Sequence, residues 1–190
     1  SSDLDAVNLK NGGKGYNYGM ELTLEKFMER GMYFLSTLSL YESKYRGSDG
    51  ILRNTAFNSN YVFNLLGGKE FSLGKNNKDQ KFLKKLTVDA KYNIAGGQRY
   101  SPIDLKASRE AGITTYDDSR AFSEQLPYYM NIDLRLAVKF IGKNATQEFA
   151  IDISNLTNRK NPLFRTYDDD INDVKTIYQF GIMPDILYRI

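Results

Sequence analysis

Cysteine and histidine are both absent from this chain. Without cysteine there is no disulfide, no thiol nucleophile and no thiolate-ligated metal. Without histidine the commonest general base and the commonest metal ligand are missing too. Catalysis would have to rest on carboxylates, lysine, tyrosine or serine alone. An enzyme is therefore the least favoured class, and neither a cofactor nor a metal site is expected. Tryptophan is also absent, and proline occurs only 4 times in 190 residues. No run of eighteen or more apolar residues occurs, which excludes a transmembrane helix but not a transmembrane barrel, whose strands mix polar and apolar residues. Excess charge is scarce as well. The net value of +3 gives no electrostatic footprint for nucleic acid. Ser1 is followed by neither a charged n-region nor an apolar h-region, so the chain is expected to be mature or excised from something longer. Its length, residues 1–190, fits one domain.

What is present is alternation. From Met130 to Phe140 the even positions are Met130, Ile132, Leu134, Leu136, Val138 and Phe140, with Asn131, Asp133, Arg135, Ala137 and Lys139 between them. A period of two is a β-strand with one apolar and one polar face. The pattern recurs with Tyr16, Tyr18, Met20, Leu22 and Leu24, with Leu86, Val88, Ala90, Tyr92 and Ile94, and with Phe149, Ile151 and Ile153. At the C-terminus Tyr178, Phe180, Ile182, Pro184, Ile186, Tyr188 and Ile190 share one parity, with Met183 and Leu187 as exceptions. Two further segments are β-rich. In MYFLSTLSLYESKY either parity can be argued, whereas NYVFNLLGGKEFSL sets Tyr61, Phe63 and Leu65 together against Val62 and Leu66. Seven strands are predicted, and DLKASREAG is the best short helix.

Three features bear on where the apolar faces point. Several periodic stretches approach the roughly 9–11 residues of a tilted membrane-crossing strand, against about 5–6 in globular sheets. Connections alternate in length. EKFMERG, GKNNKDQKF and GKNATQ are short; RGSDGILRNTAFNS, residues 97–125 and RKNPLFRTYDDDINDVK are long. Short turns on one side and long loops on the other mark an antiparallel up-and-down barrel of the outer-membrane kind. Finally, aromatics such as Tyr16, Tyr18, Tyr61, Tyr128, Tyr129, Phe140, Phe149, Tyr178 and Tyr188 lie mostly near strand ends. An interfacial girdle places them there, although aromatics favour strands in any case.

The segment IDISNLTNRKNP (Ile151 to Pro162) resembles the D-x-x-N-L-x-[ND]-[RK] strand end near the C-terminus of TonB-dependent outer-membrane receptors. GKGYNYGMELTLEKF, YFLSTLSLYESKYRG, NYVFNLLGGKEFSLG, IAGGQRYSPIDLKAS and the closing GIMPDILYRI are similar to pieces of the Bacteroidetes-type members, in the same order and spacing. The resemblance implies a large outer-membrane barrel with a plug, importing a scarce nutrient such as an iron chelate (siderophore), cobalamin or a glycan. This chain would be its C-terminal barrel segment, an all-β antiparallel up-and-down meander of about seven long strands. Its implied partners are outer-membrane lipid, the N-terminal barrel and plug of the same receptor, TonB through that plug, and a small nutrient. EKFMERG, GKNNKDQKF and GKNATQ would face the periplasm. Two departures stand out: neither the plug nor a TonB-contacting segment is recognisable, and the last residue is Ile190 where such barrels usually end in an aromatic.

On this view the polar parity faces the lumen. Its candidate residues are Asp89, Lys91, Asn131, Asp133, Arg135, Lys139 and Asp152. They carry both signs, which suits a wall of solvated charges and salt bridges better than a catalytic pair with split pKa values. Candidates in the outer loops are Arg99, Tyr100, Asp117, Asp118, Asp168 and Asp170. Asp168, Asp170 and Asn172 are spaced like the start of an EF-hand, but Asp173 stands where glycine is needed and Gln179 where glutamate is needed, so a solvated acidic loop is expected. Asn144-Ala145-Thr146 and Asn155-Leu156-Thr157 match glycosylation sequons, which carry no meaning in a bacterial outer membrane. Lys81, Lys84 and Lys85 suit a turn near the membrane surface. Two rival architectures remain open. One is a complete eight-stranded outer-membrane barrel with residues 1–12 adding a strand; the other is a soluble β-sandwich ligand-binding module.

Overall fold

A computed structural model describes residues 12–74 and 83–190. Residues 1–11, the candidate eighth strand, most of the GKNNKDQKF turn and Lys81 lie outside the described residues. The elements in chain order are β1 (Lys14–Glu29), β2 (Met32–Arg46), β3 (Leu52–Asn54), β4 (Tyr61–Leu73), β5 (Leu83–Ala95), β6 (Arg99–Tyr100), α1 (Leu105–Ala111), a 3-10 turn (Asp118–Arg120), β7 (Glu124–Gln125), β8 (Tyr129–Ile141), β9 (Thr146–Ser154), β10 (Pro162–Asp168), β11 (Asp173–Tyr178) and β12 (Met183–Arg189). Seven long strands form one antiparallel sheet in the order β1-β2-β4-β5-β8-β9-β12, with β3 paired beside β2. Each long strand lies beside its predecessor, so the sheet is an up-and-down meander. The alternating segments form these strands because only the pleated backbone puts every second side chain on one face.

The register assigns the faces. Residues directly opposite one another share a face. Val88, Leu136, Ile151 and Ile186 form one row across β5, β8, β9 and β12, and Asp89, Arg135, Asp152 and Asp185 form the next row on the other face. The ambiguous parity of β2 is settled by its neighbours. Leu38 and Leu40 face Leu22 and Met20 on β1, and Phe63 and Tyr61 on β4. Tyr33, Leu35, Thr37, Ser39 and Tyr41 therefore join the polar face.

Among the described residues the apolar face packs on no second sheet. The other sheets among the described residues are the two-stranded β10-β11 and β6-β7, both within long connections. Leu22 is 55% exposed, Ile151 49% and Ile186 81%. Among the described residues the buried apolar side chains are Leu126, Tyr167, Ala137 and Ala150. Leu126 and Tyr167 lie in the long connections. Ala137 and Ala150 oppose each other on the polar face and are 1% and 2% exposed. The sheet is thus inverted relative to a globular protein, with its best-buried positions among its charges.

Turn chemistry closes the short end. Arg30 and Gly31 have φ 51 and 74, the paired left-handed conformations of a two-residue hairpin, and join Glu29 to Met32. At the opposite end the loop 96–128 crosses the sheet edge on Gly96 and Gly97, where a Cβ would stand 1.8 Å from the Ser59 carbonyl oxygen and 1.7 Å from that of Leu126. Among the described residues β1 and β12 are the outermost strands and do not pair with each other, so the sheet is open.

One strand differs from expectation. The alternation from Tyr178 to Ile190 predicts a single strand, but β12 spans only Met183–Arg189 and Tyr178 ends the β10-β11 hairpin. The cause is competition by the preceding turn. The Gln179 N–H donates to the Asn161 carbonyl at 2.9 Å, and the Ile182 N–H to Asn158 Oδ1 at 3.0 Å. These bonds draw residues 179–182 off the ladder.

Candidate functional site

The polar face carries a continuous charged trough, built by register. Arg135 stands between Asp89 on β5 and Asp152 on β9. Its Nη1 donates to Asp152 Oδ2 at 2.6 Å and its Nη2 to Glu148 Oε1 at 2.8 Å. The other Glu148 oxygen accepts from Arg189 Nη2 at 2.5 Å. Asp152, Arg135, Glu148 and Arg189 thus form one alternating chain of charge over β8, β9 and β12. Period two also explains its position above the alanines. Arg135 and Lys139 flank Ala137, while Glu148 and Asp152 flank Ala150, so long side chains close over the two methyl groups.

Next to this chain Tyr33 donates to Asp89 Oδ1 at 2.8 Å. The two residues lie on β2 and β5, with Gly68 of β4 in register between them. Further along the face Asn93 donates to Asn64, whose own Nδ2 donates to Thr37 Oγ1 at 3.1 Å. Lys85 pairs with Glu70 at 2.5 Å. The trough has a volume of 490 Å³ and is lined by Asp89, Lys91, Asp133, Arg135, Lys139 and Asp152, together with Tyr33, Glu148 and Arg189. Asn131 lies beyond it, beside a second cavity of 500 Å³ with Tyr129, Asn155 and Phe180. Its Nδ2 donates to Asp133 Oδ1 at 2.7 Å, and its own Oδ1 is buried without a partner.

The trough gathers all but one of the lumen candidates named from the sequence, and adds three more. Glu148 and Arg189 share the polar parity of their strands and were readable from it. Tyr33 was not, because β2 has no clear parity. Among the described residues no cluster of three or more acidic side chains is placed to hold a metal. Glu148 and Asp152 are both committed to arginine. What the face offers is a wall of fixed, mutually balanced charge.

The outer-loop candidates are mainly structural ties. Arg99 Nε donates to the Asn58 carbonyl at 3.0 Å and Nη2 to Asn60 Oδ1 at 3.2 Å. Asn58 is fully buried and bonds Ser43 N, Glu42 and Asn54, which pins the loop 47–60 to β2. Tyr100 donates to Glu124 Oε2 at 2.7 Å and accepts from Arg165 Nη1 at 3.0 Å. Burial pushes the Tyr100 hydroxyl up; Arg165 opposes that and Glu124 reinforces it. Asp117 caps the 3-10 turn, and the Ser119 hydroxyl holds its carboxyl below the usual range. Asp118 opens that turn and is exposed. Asp168 pairs with Lys175 across the hairpin and also accepts from the Asp170 N–H at 3.0 Å, while Asp170 is exposed. Asn172 accepts from the Tyr167 hydroxyl at 2.9 Å. The EF-hand-like spacing is a hairpin turn. The predicted helix is α1, capped by Asp104 and ended by Gly112 at φ 69.

The ISNLTNRKNP segment is a turn built by amides. Asn155, buried at φ 51, accepts from Arg159 N at 3.0 Å and donates to the carbonyls of Arg159 and Phe180. Asn161 Oδ1 accepts from the Met130 N–H at 3.1 Å and its Nδ2 donates to the Met130 carbonyl at 2.8 Å. One side chain thus takes the place of a strand neighbour for β8 beyond the end of its pairing with β9.

No family model, curated protein or solved structure matches the chain.

Proposed function

We propose that the chain is the C-terminal barrel-wall segment of a TonB-dependent outer-membrane receptor, serving nutrient uptake and not catalysis. The observation that carries this reading is the pairing of a bare apolar face with a charged, hydrogen-bonded face on the same seven long antiparallel strands. An exposed apolar sheet this wide needs cover, and lipid supplies it without asking for a complementary surface. The open edges at β1 and β12 call for further strands, since unpaired backbone is not tolerated in hydrocarbon. The charged trough then faces the lumen, meeting water or the plug. The long loops face outwards and the Arg30–Gly31 turn faces the periplasm. A sandwich module is less well supported, because it would need a second sheet about 10 Å from the apolar face.

The absence of native cysteine makes the test clean. Single cysteines at Leu22, Thr23, Ile151 and Asp152 are spin-labelled in the chain inserted into bilayers. Labels at 22 and 151 are expected to be reached by oxygen and not by a water-soluble nickel chelate, and those at 23 and 152 the reverse. A chain that stays monomeric without detergent, with the chelate reaching all four sites, overturns the proposal.

A further inference from the structure

The long loops form a half-open cavity of 360 Å³ at their end of the sheet, lined by Tyr100, Tyr116, Phe122, Leu126, Phe164 and Arg165 among others. Its volume is at the small end of the roughly 300–1,000 Å³ of ligand pockets. Two features set it apart from a packing defect. First, Arg165 lacks a counter-charge: among the described residues no carboxylate lies within salt-bridge reach of it. Its Nη1 bonds the Tyr100 hydroxyl, and its Nε is buried with no acceptor. A guanidinium without a counter-charge is costly where it is partly buried, and an anion in the cavity would supply that counter-charge on the side of the guanidinium that faces it, since the Nε itself is closed off. Glu124, the nearest acid through Tyr100, is taken by the Tyr100 hydroxyl and by Arg120 at 3.5 Å. Second, Phe122 has φ 54, a conformation strained for a bulky side chain. It holds the ring in the cavity wall, edge-on to Tyr45 at 6.4 Å.

We infer that this loop cavity binds a small carboxylic acid carrying a flat ring. The planar guanidinium of Arg165 matches a carboxylate in shape and charge. Tyr116, Phe122 and Phe164 offer the faces and edges against which a ring packs. Arg99, the other guanidinium in the wall, is turned to Asn58 and Asn60, which leaves Arg165 to make the direct contact. The inference does not rest on a lipid-facing sheet, since the cavity is formed by the loops alone.

The test is calorimetric titration of the full chain in a zwitterionic detergent, with benzoate as probe and benzamide as its neutral counterpart. Benzoate is expected to bind about tenfold or more tightly than benzamide, the difference expected of one charge-assisted contact. Arg165→Gln should remove that preference and leave benzamide unchanged, while Arg120→Gln leaves both unchanged. Phe122→Gly should weaken both, because the ring is lost. Equal binding of benzoate and benzamide by the unmodified chain, or binding of neither, overturns the inference without recourse to a variant. So does a folded Arg165→Gln chain that keeps the preference for benzoate. Spin-label exposure in bilayers is read separately, so failure of the membrane proposal and failure of this one are distinguishable.

Discussion

Tyr33 and Asp89 join hands over a residue that has no side chain. Their 2.8 Å hydrogen bond spans two strand spacings, from β2 to β5, and Gly68 on the intervening strand leaves the gap that it crosses. A Cβ at position 68 would stand 2.0 Å from Asp89 Oδ1 and 2.6 Å from the Tyr33 ring. Aromatic cover of a sheet glycine is a known device for holding register.

Gly68→Ala is therefore expected to break the bond and destabilise the sheet by about 1–3 kcal/mol. Gly67→Ala is the control. Its Cβ would meet nothing nearer than 3.4 Å and should be close to neutral. Urea titration of both variants in the same detergent checks the contrast, and equal effects would refute the role given to Gly68.

Arg135 and Glu148 should be energetically coupled. Arg135→Gln leaves the buried Glu148 with Arg189 as its remaining hydrogen-bonded partner, and a double-mutant cycle with Glu148→Gln is expected to give a coupling of about 0.5–3 kcal/mol. The same cycle between Arg135 and Lys175, whose partner Asp168 lies in the distant hairpin, should give a coupling near zero.

Asn161→Ala removes two hydrogen bonds from the Met130 backbone. Amide exchange at Met130 is expected to accelerate by about tenfold or more, for a loss of about 1–3 kcal/mol. Exchange at Leu136, in the middle of β8 and paired on both sides, should change little. Unchanged protection at Met130 would show that the amide is not a strand surrogate.

The β10-β11 hairpin should loosen in acid. The Lys175 ammonium holds the Asp168 carboxyl below its ordinary value of 3.8. The unfolded hairpin therefore takes up the proton more readily than the folded one. Stability from this pair is complete above 3.8 and is lost as pH falls through the lower folded value. The Asp170 amide, which donates to Asp168, reports the change by NMR. Asp168→Asn should abolish the acid-dependent step, and persistence of the step would assign it elsewhere.

How much of this was legible in the sequence follows from the range of each interaction. Most of the long strands were, because alternation is local and needs no partner, and β2 was legible only as a β-rich stretch. Hence parity alone puts Arg135 and Asp152 on one face. Parity does not say that they touch, because a bond between β8 and β9 depends on register, and register is set by turns. Tyr33 escaped because β2 carries apolar residues on both parities, and only its neighbours decide between them. Within the long connections the elements of two or three residues, β3, β6 and β7, are too short to show a period. The start of the last strand was misplaced for a related reason: Asn158 and Asn161 compete for residues 179–182 across the whole β10-β11 hairpin. The loop cavity combines positions from 56 to 165 that nothing local relates.

The inverted burial of the sheet also says where change is tolerated. A face that, among the described residues, packs on no second layer and touches only its own strand neighbours holds little of a jigsaw. Leucine, isoleucine and phenylalanine are nearly interchangeable at positions such as 22, 151 and 186, so long as the surface stays greasy. The narrow tolerances lie under the charges. Ala137 and Ala150 are backed by their own strands and roofed by Arg135, Lys139, Glu148 and Asp152, and one added methyl group there has nowhere to go. Variation in this protein should therefore accumulate among its large hydrophobic residues and avoid two of its smallest.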